Sequence, residues 1–84
     1  MKVLFGEVSE GTVQVIERDD KYFIRYDAGA HQVVWREDEI SRQDANAIVN
    51  NNKNVEDVLI ELQAQLLSKG IKPYISNWDP SSDK

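Results

Sequence analysis

The chain holds one histidine, His31, the side chain whose ordinary pKa best suits acid–base work near neutral pH. Asp27 precedes it by four residues across an expected turn, where a carboxylate could hold the second imidazole nitrogen. Tyr26 and Trp35 lie close by in sequence, so a small-ligand pocket or an active site would draw on His31, Tyr26 and Trp35. The chemistry stops there. No serine sits in a nucleophile-elbow context and no motif supplies an oxyanion hole. Catalysis needs several converging groups, so His31 is expected to be structural or exposed and the chain not to be an enzyme.

The carboxylate runs have simpler roles. Asp19-Asp20 suits a turn and Glu56-Asp57 the N-terminus of a helix, while Glu37-Asp38-Glu39 is expected to end a sheet ahead of a helix. No run has the alternating oxygen ligands and glycine of a calcium loop, and with no cysteine a Cys-based zinc site is excluded. No cofactor or metal is expected.

Tyr22, Tyr26 and Trp35 interleave with Arg25 and Arg36, a pattern that could stack bases and clamp phosphates. Strand alternation sends the tyrosines and the arginines to opposite faces, so platform and clamp do not coincide. The net charge of −5 also argues against direct nucleic-acid binding. Residues 1–40 carry nine acidic and five basic side chains, against six and five over residues 41–84. An acidic inhibitor of a nucleic-acid-binding protein would need Asp19, Asp20, Glu37, Asp38 and Glu39 on one surface. Solubility explains the same charge.

Eighty-four residues make a single α+β domain, 1–84, with 79–84 expected to fray as a tail. Strands are expected at about 2–8, at Thr12–Arg18, at Lys21–Asp27 and at His31–Arg36. Asp19-Asp20 and Asp27–Ala30 would form the tight turns, with Gly29 left-handed in the second. Alternation puts Val13, Val15, Tyr22, Ile24, Tyr26, Val33 and Trp35 on one buried side. The other side, with Ile16, Phe23, Arg25, Val34 and Arg36, is mixed.

Ser41 and Asn54 read as N-caps of two helices, the first about 42–50. Lys69-Gly70-Ile71 reads as a Schellman stop for the second. Val55, Val58, Leu59, Leu62 and Leu66 form its core face. Ile60, Ala64 and Leu67 widen that face, which suggests contacts on two sides. Pro73 then forces an extended course through YISNW, a segment that either docks on its own domain or crosses to a neighbour.

The fold expected is a four-stranded antiparallel β-meander followed by two helices packed on one face of the sheet. With the other face open, a homodimer is expected. The function expected is a non-catalytic protein-interaction or adaptor module. It would act through Ile16, Phe23, Arg25, Val34 and Arg36, or through Tyr74 and Trp78. No segment has the length of a membrane span, and the composition suits a cytoplasmic protein, of the kind common among accessory proteins of mobile elements.

Overall fold

Four short strands pair in chain order, each antiparallel to the next. They are β1 (Lys2–Gly6), β2 (Val13–Arg18), β3 (Lys21–Asp27) and β4 (Trp35–Ile40), followed by helices α1 (Arg42–Val49) and α2 (Val55–Ser68). This computed structural model describes residues 1–8, 12–29 and 32–83. The arrangement is α+β, with both helices on one face of the meander.

Strands β2 and β3 join through Asp19 and Asp20, with φ of 54° and 64°. Two positive φ angles in a two-residue loop match the right-handed twist of the flanking strands, and Asp tolerates them. Leu4 is an extra residue in β1: Val3 pairs with Ile16 and Phe5 with Val15, so the strand bulges there. Gly6 ends β1 at φ 69°, where a Cβ would lie 2.0 Å from the Val13 carbonyl oxygen.

The fourth strand corrects the expectation of His31–Arg36. Residues 28, 29 and 32–34 lie outside any strand and are tied by Asp27: its Oδ1 accepts from the N–H groups of Gly29 and Val34, each at 2.9 Å. Ala28 N–H donates to the Val34 carbonyl at 2.8 Å. Gly29 is not left-handed. It is needed because the Gln32 carbonyl oxygen would stand 1.6 Å from any Cβ. Val33 is therefore an exposed loop residue and Val34 a buried one. Glu37, Asp38 and Glu39 lie inside the sheet, paired with Arg25, Ile24 and Phe23.

Facing residues of an antiparallel pair share a side. Tyr26 pairs with Arg36 and Ile24 with Asp38, so Arg36 and Asp38 stand on the helix side. Trp35 falls on the other side, which corrects its placement in the core. Val15, Ile24, Tyr26 and Ile40 meet Ala45 and Ile48 of α1 and Val58, Leu62 and Leu66 of α2. Leu4, Val13, Tyr22, Val55 and Leu59 edge that core.

The helix ends follow the capping signals. Ser41 Oγ accepts from Asp44 N–H at 3.0 Å, and Asn54 Oδ1 from Glu56 N–H at 2.8 Å. At the end of α2, Ile71 N–H donates to Leu66 O at 2.9 Å and Gly70 N–H to Leu67 O at 3.0 Å, with Gly70 at φ 78°. This is the full Schellman pattern. Beyond Asp79, Pro80–Asp83 forms a short 3-10 turn, Asp79 Oδ1 accepting from Ser81 N–H at 2.9 Å. No described helix is long and apolar enough to cross a membrane.

Candidate interaction surface

Buried arginines and carboxylates pair on both sides of the sheet. On the helix side, Asp38 accepts from the Tyr26 hydroxyl at 2.6 Å and from Arg36 Nε and Nη2 at 3.0 and 2.8 Å. Tyr26 is 1% exposed. Burial, reinforced by the Asp38 carboxylate, pushes its phenol far above the ordinary tyrosine range. The hydrogen bond to Asp38 likewise raises Arg36 further. A phenol held protonated and shut from solvent cannot serve as a base or a ligand. It is a girder of the core.

On the other side, Glu37 bridges two arginines: Oε1 accepts from Arg18 Nη2 at 2.6 Å and Oε2 from Arg25 Nε at 2.8 Å. Arg25 also donates to Gln14 Oε1 at 3.1 Å and is 3% exposed. Its guanidinium lies under the Trp78 ring, 4.4 Å from the centroid, and Trp78 meets Trp35 edge to face at 6.5 Å. Arg18 covers Phe23 in the same way at 4.6 Å.

Trp78 reaches this side because the segment after α2 wraps around β4. Its first part runs past Arg36, whose Nη1 donates to the Ile75 carbonyl at 2.6 Å. Ser76 Oγ and Asn77 N–H then both donate to Trp35 O, at 2.9 and 3.2 Å. The YISNW segment thus docks on its own domain and covers the β4 edge.

The residues singled out from sequence separate accordingly. Tyr26 and Trp35 stand on opposite faces of the sheet, so the expected three-residue ligand site does not assemble; His31 lies outside the described residues. Ile16, Arg25 and Val34 are buried, Phe23 and Trp78 half-buried, and Tyr74 exposed. Arg36 belongs to the helix side, not to the face of Arg25. The five acidic residues do not act as one surface: Glu37 and Asp38 are paired with arginines, while Asp19 and Asp20 sit exposed at a hairpin tip and the exposed Glu39 shares one opening with Asp20. Among the described residues no three of His, Asp and Glu converge as metal ligands.

What remains open is the back of α2. Ile60 and Leu67 are 65% and 59% exposed, Ala64 between them is exposed, and Ile71 follows just past the Schellman turn, also exposed. Within α2 the intervals of 4 and 3 residues set Ile60, Ala64 and Leu67 in one row opposite Val58, Leu62 and Leu66. The signal was in the sequence as the over-wide apolar face of this helix.

A second opening is a cleft of about 670 Å³ between the end of the β1–β2 hairpin and the start of α2. Phe5, Val13, Val55 and Leu59 line it together with Glu7 and Glu56. Tyr26 borders it, but the hydroxyl is committed to Asp38.

Comparisons of the chain with protein-family models, with curated proteins and with solved structures find no match.

Proposed function

We propose that the chain is a non-catalytic protein-interaction module whose contact surface is the back of α2. One observation carries the reading: an apolar row, Ile60, Ala64 and Leu67, faces solvent on the outer side of a helix whose inner side packs on the core. Large apolar side chains scattered singly are ordinary on a surface, whereas a contiguous apolar patch marks an interaction site. The sheet face expected to serve this purpose is occupied by the chain's own Trp78. Among the described residues, Tyr26, Arg25, Arg36, Glu37 and Asp38 are held in internal hydrogen bonds and ion pairs, which favours binding over reaction. An accessory role in the cytoplasm fits a cysteine-free, acidic chain.

The test is a photo-crosslinking amino acid placed at Ala64, with the same residue at the exposed Gln43 as control, in cells that express the protein. An adduct to a defined protein that forms at position 64 and not at 43 is expected. Absence of any adduct at 64 overturns the assignment of the surface.

A further inference from the structure

We infer that the cleft between the β1–β2 hairpin and the start of α2 binds a small organic cation, its apolar body against Phe5, Val13, Val55 and Leu59 and its ammonium held by Glu7 and Glu56. The inference goes beyond the interaction reading above, because Ile60, Ala64 and Leu67 do not line this cleft.

Size and lining set the class of ligand. At about 670 Å³ the cleft falls in the range of small-molecule sites, which join apolar walls to a few polar groups. Val13, Val55 and Leu59 are half-buried and Phe5 is 37% exposed. A bound hydrocarbon therefore covers apolar surface that the fold itself leaves open to water. Tyr26 adds only its ring, since its hydroxyl is committed to Asp38.

Charge sets the sign of the ligand. Glu7 follows the end of β1 and Glu56 stands in the first turn of α2, so two separate elements bring carboxylates to one cleft. Both are exposed, and neither is ion-paired among the described residues. Lys53, the base beside the start of α2, turns instead to Glu61 and Asp44, at 2.9 and 3.6 Å. Among the described residues no lysine or arginine lines the cleft. A helix start ordinarily favours anions through its free N–H groups, but here the first-turn donors are taken. Asn54 Oδ1 accepts from Glu56 N–H at 2.8 Å, and the Asn54 carbonyl accepts from Asp57 and Val58 N–H at 3.1 and 3.2 Å. An anion would be repelled by the two carboxylates. A cation is neutralised by them.

Titration of the full chain with tryptamine, followed by amide chemical shifts, tests the site. Tryptamine is expected to bind in the millimolar range or more tightly, with shifts centred on Phe5, Val13, Val55 and Leu59. Its neutral isostere tryptophol should bind roughly three- to tenfold more weakly, the worth of two exposed ion contacts, and indole-propionate more weakly still. Raised salt should narrow the preference for tryptamine over tryptophol. Glu7→Gln/Glu56→Gln should abolish that preference and leave tryptophol binding and circular dichroism unchanged. Phe5→Ala should weaken both ligands alike. No saturable shifts, or shifts that miss the four cleft residues, overturn the site. Equal affinity for tryptamine and tryptophol, or a preference that survives the double variant, overturns the cation reading. A capped Leu-Lys-Leu peptide that saturates the cleft where tryptamine does not overturns the small-molecule assignment.

Discussion

The side-chain amide of Asn77 pairs with both backbone groups of Glu37: Glu37 N–H donates to Asn77 Oδ1 at 2.8 Å, and Asn77 Nδ2 donates to the Glu37 carbonyl at 3.0 Å. The amide thus acts as one rung of a fifth strand, on an edge that would otherwise offer unpaired groups to another sheet. Asn77→Ala is expected to lower stability by ~1–2 kcal/mol, two modest hydrogen bonds at an exposed site. It should also raise the aggregation rate. Urea denaturation and light scattering measure the two effects, and a variant that matches wild type in both would show that the edge needs no cover.

Glu37 and Arg25 should be strongly coupled. Arg25 is nearly inaccessible, and removal of the Glu37 carboxylate takes from a buried cation the counter-charge that stands 2.8 Å from its Nε. Glu37→Ala is expected to cost ~3 kcal/mol, in the range for breaking one partner of a buried pair. Arg25→Met in the same background should recover most of that loss, because a buried ion pair adds little over a well-packed apolar pair. Chemical denaturation of both singles and the double closes the cycle.

Tyr26 makes stability fall at high pH. Its folded pKa is raised above the unfolded value of ~10, so its contribution is complete below pH ~10 and lost as pH rises towards the folded value. In that window the unfolded chain holds fewer protons than the folded one. Stability should therefore decline by ~1.4 kcal/mol per pH unit from this group alone. Tyr26→Phe should be less stable at neutral pH, having lost the bond to Asp38, and should lack this component of the slope. Parallel slopes for the two proteins would contradict the assignment.

Two glycines with similar φ should differ in tolerance. A Cβ at Gly70 meets nothing within 4 Å, so Gly70→Ala carries only the backbone penalty, ~1–2 kcal/mol. At Gly6 the same change adds a collision with the Val13 carbonyl oxygen at 2.0 Å. Gly6→Ala should cost clearly more, and thermal melts of the pair decide it.

The helices were legible because their signals are local. Ser41, Asn54 and Gly70 each act within a few residues, and apolar spacing gives a helix its faces. Strands β2 and β3 were legible for the same reason, through strict alternation and the Asp19-Asp20 turn. Strand β4 was not. Val33, Val34 and Trp35 have strand-like chemistry, whereas four of the six residues of Trp35–Ile40 are charged, and sequence patterning weights the former. The decisive contacts are long-range: Arg25 and Arg18 neutralise Glu37, and Arg36 neutralises Asp38 beneath Tyr26. One clue was present, the alternation Arg36, Glu37, Asp38, which sets opposite charges two residues apart on one side. The missed shift of strand parity moved Trp35 and Arg36 to the opposite faces and dissolved the expected ligand site. The wide apolar face of α2 needed no partner strand to be seen, and it became the candidate surface.

The wrap of residues 75–78 around β4 also has a bearing on synthesis. Asn77 leaves the ribosome forty residues after the strand it closes. Throughout that interval a nascent chain can pair β1 to β4 while its newest strand still presents a bare edge and Arg25 lacks the Trp78 ring. Until residues 75–78 dock, the bare β4 edge is the part of the sheet most open to pairing with another chain.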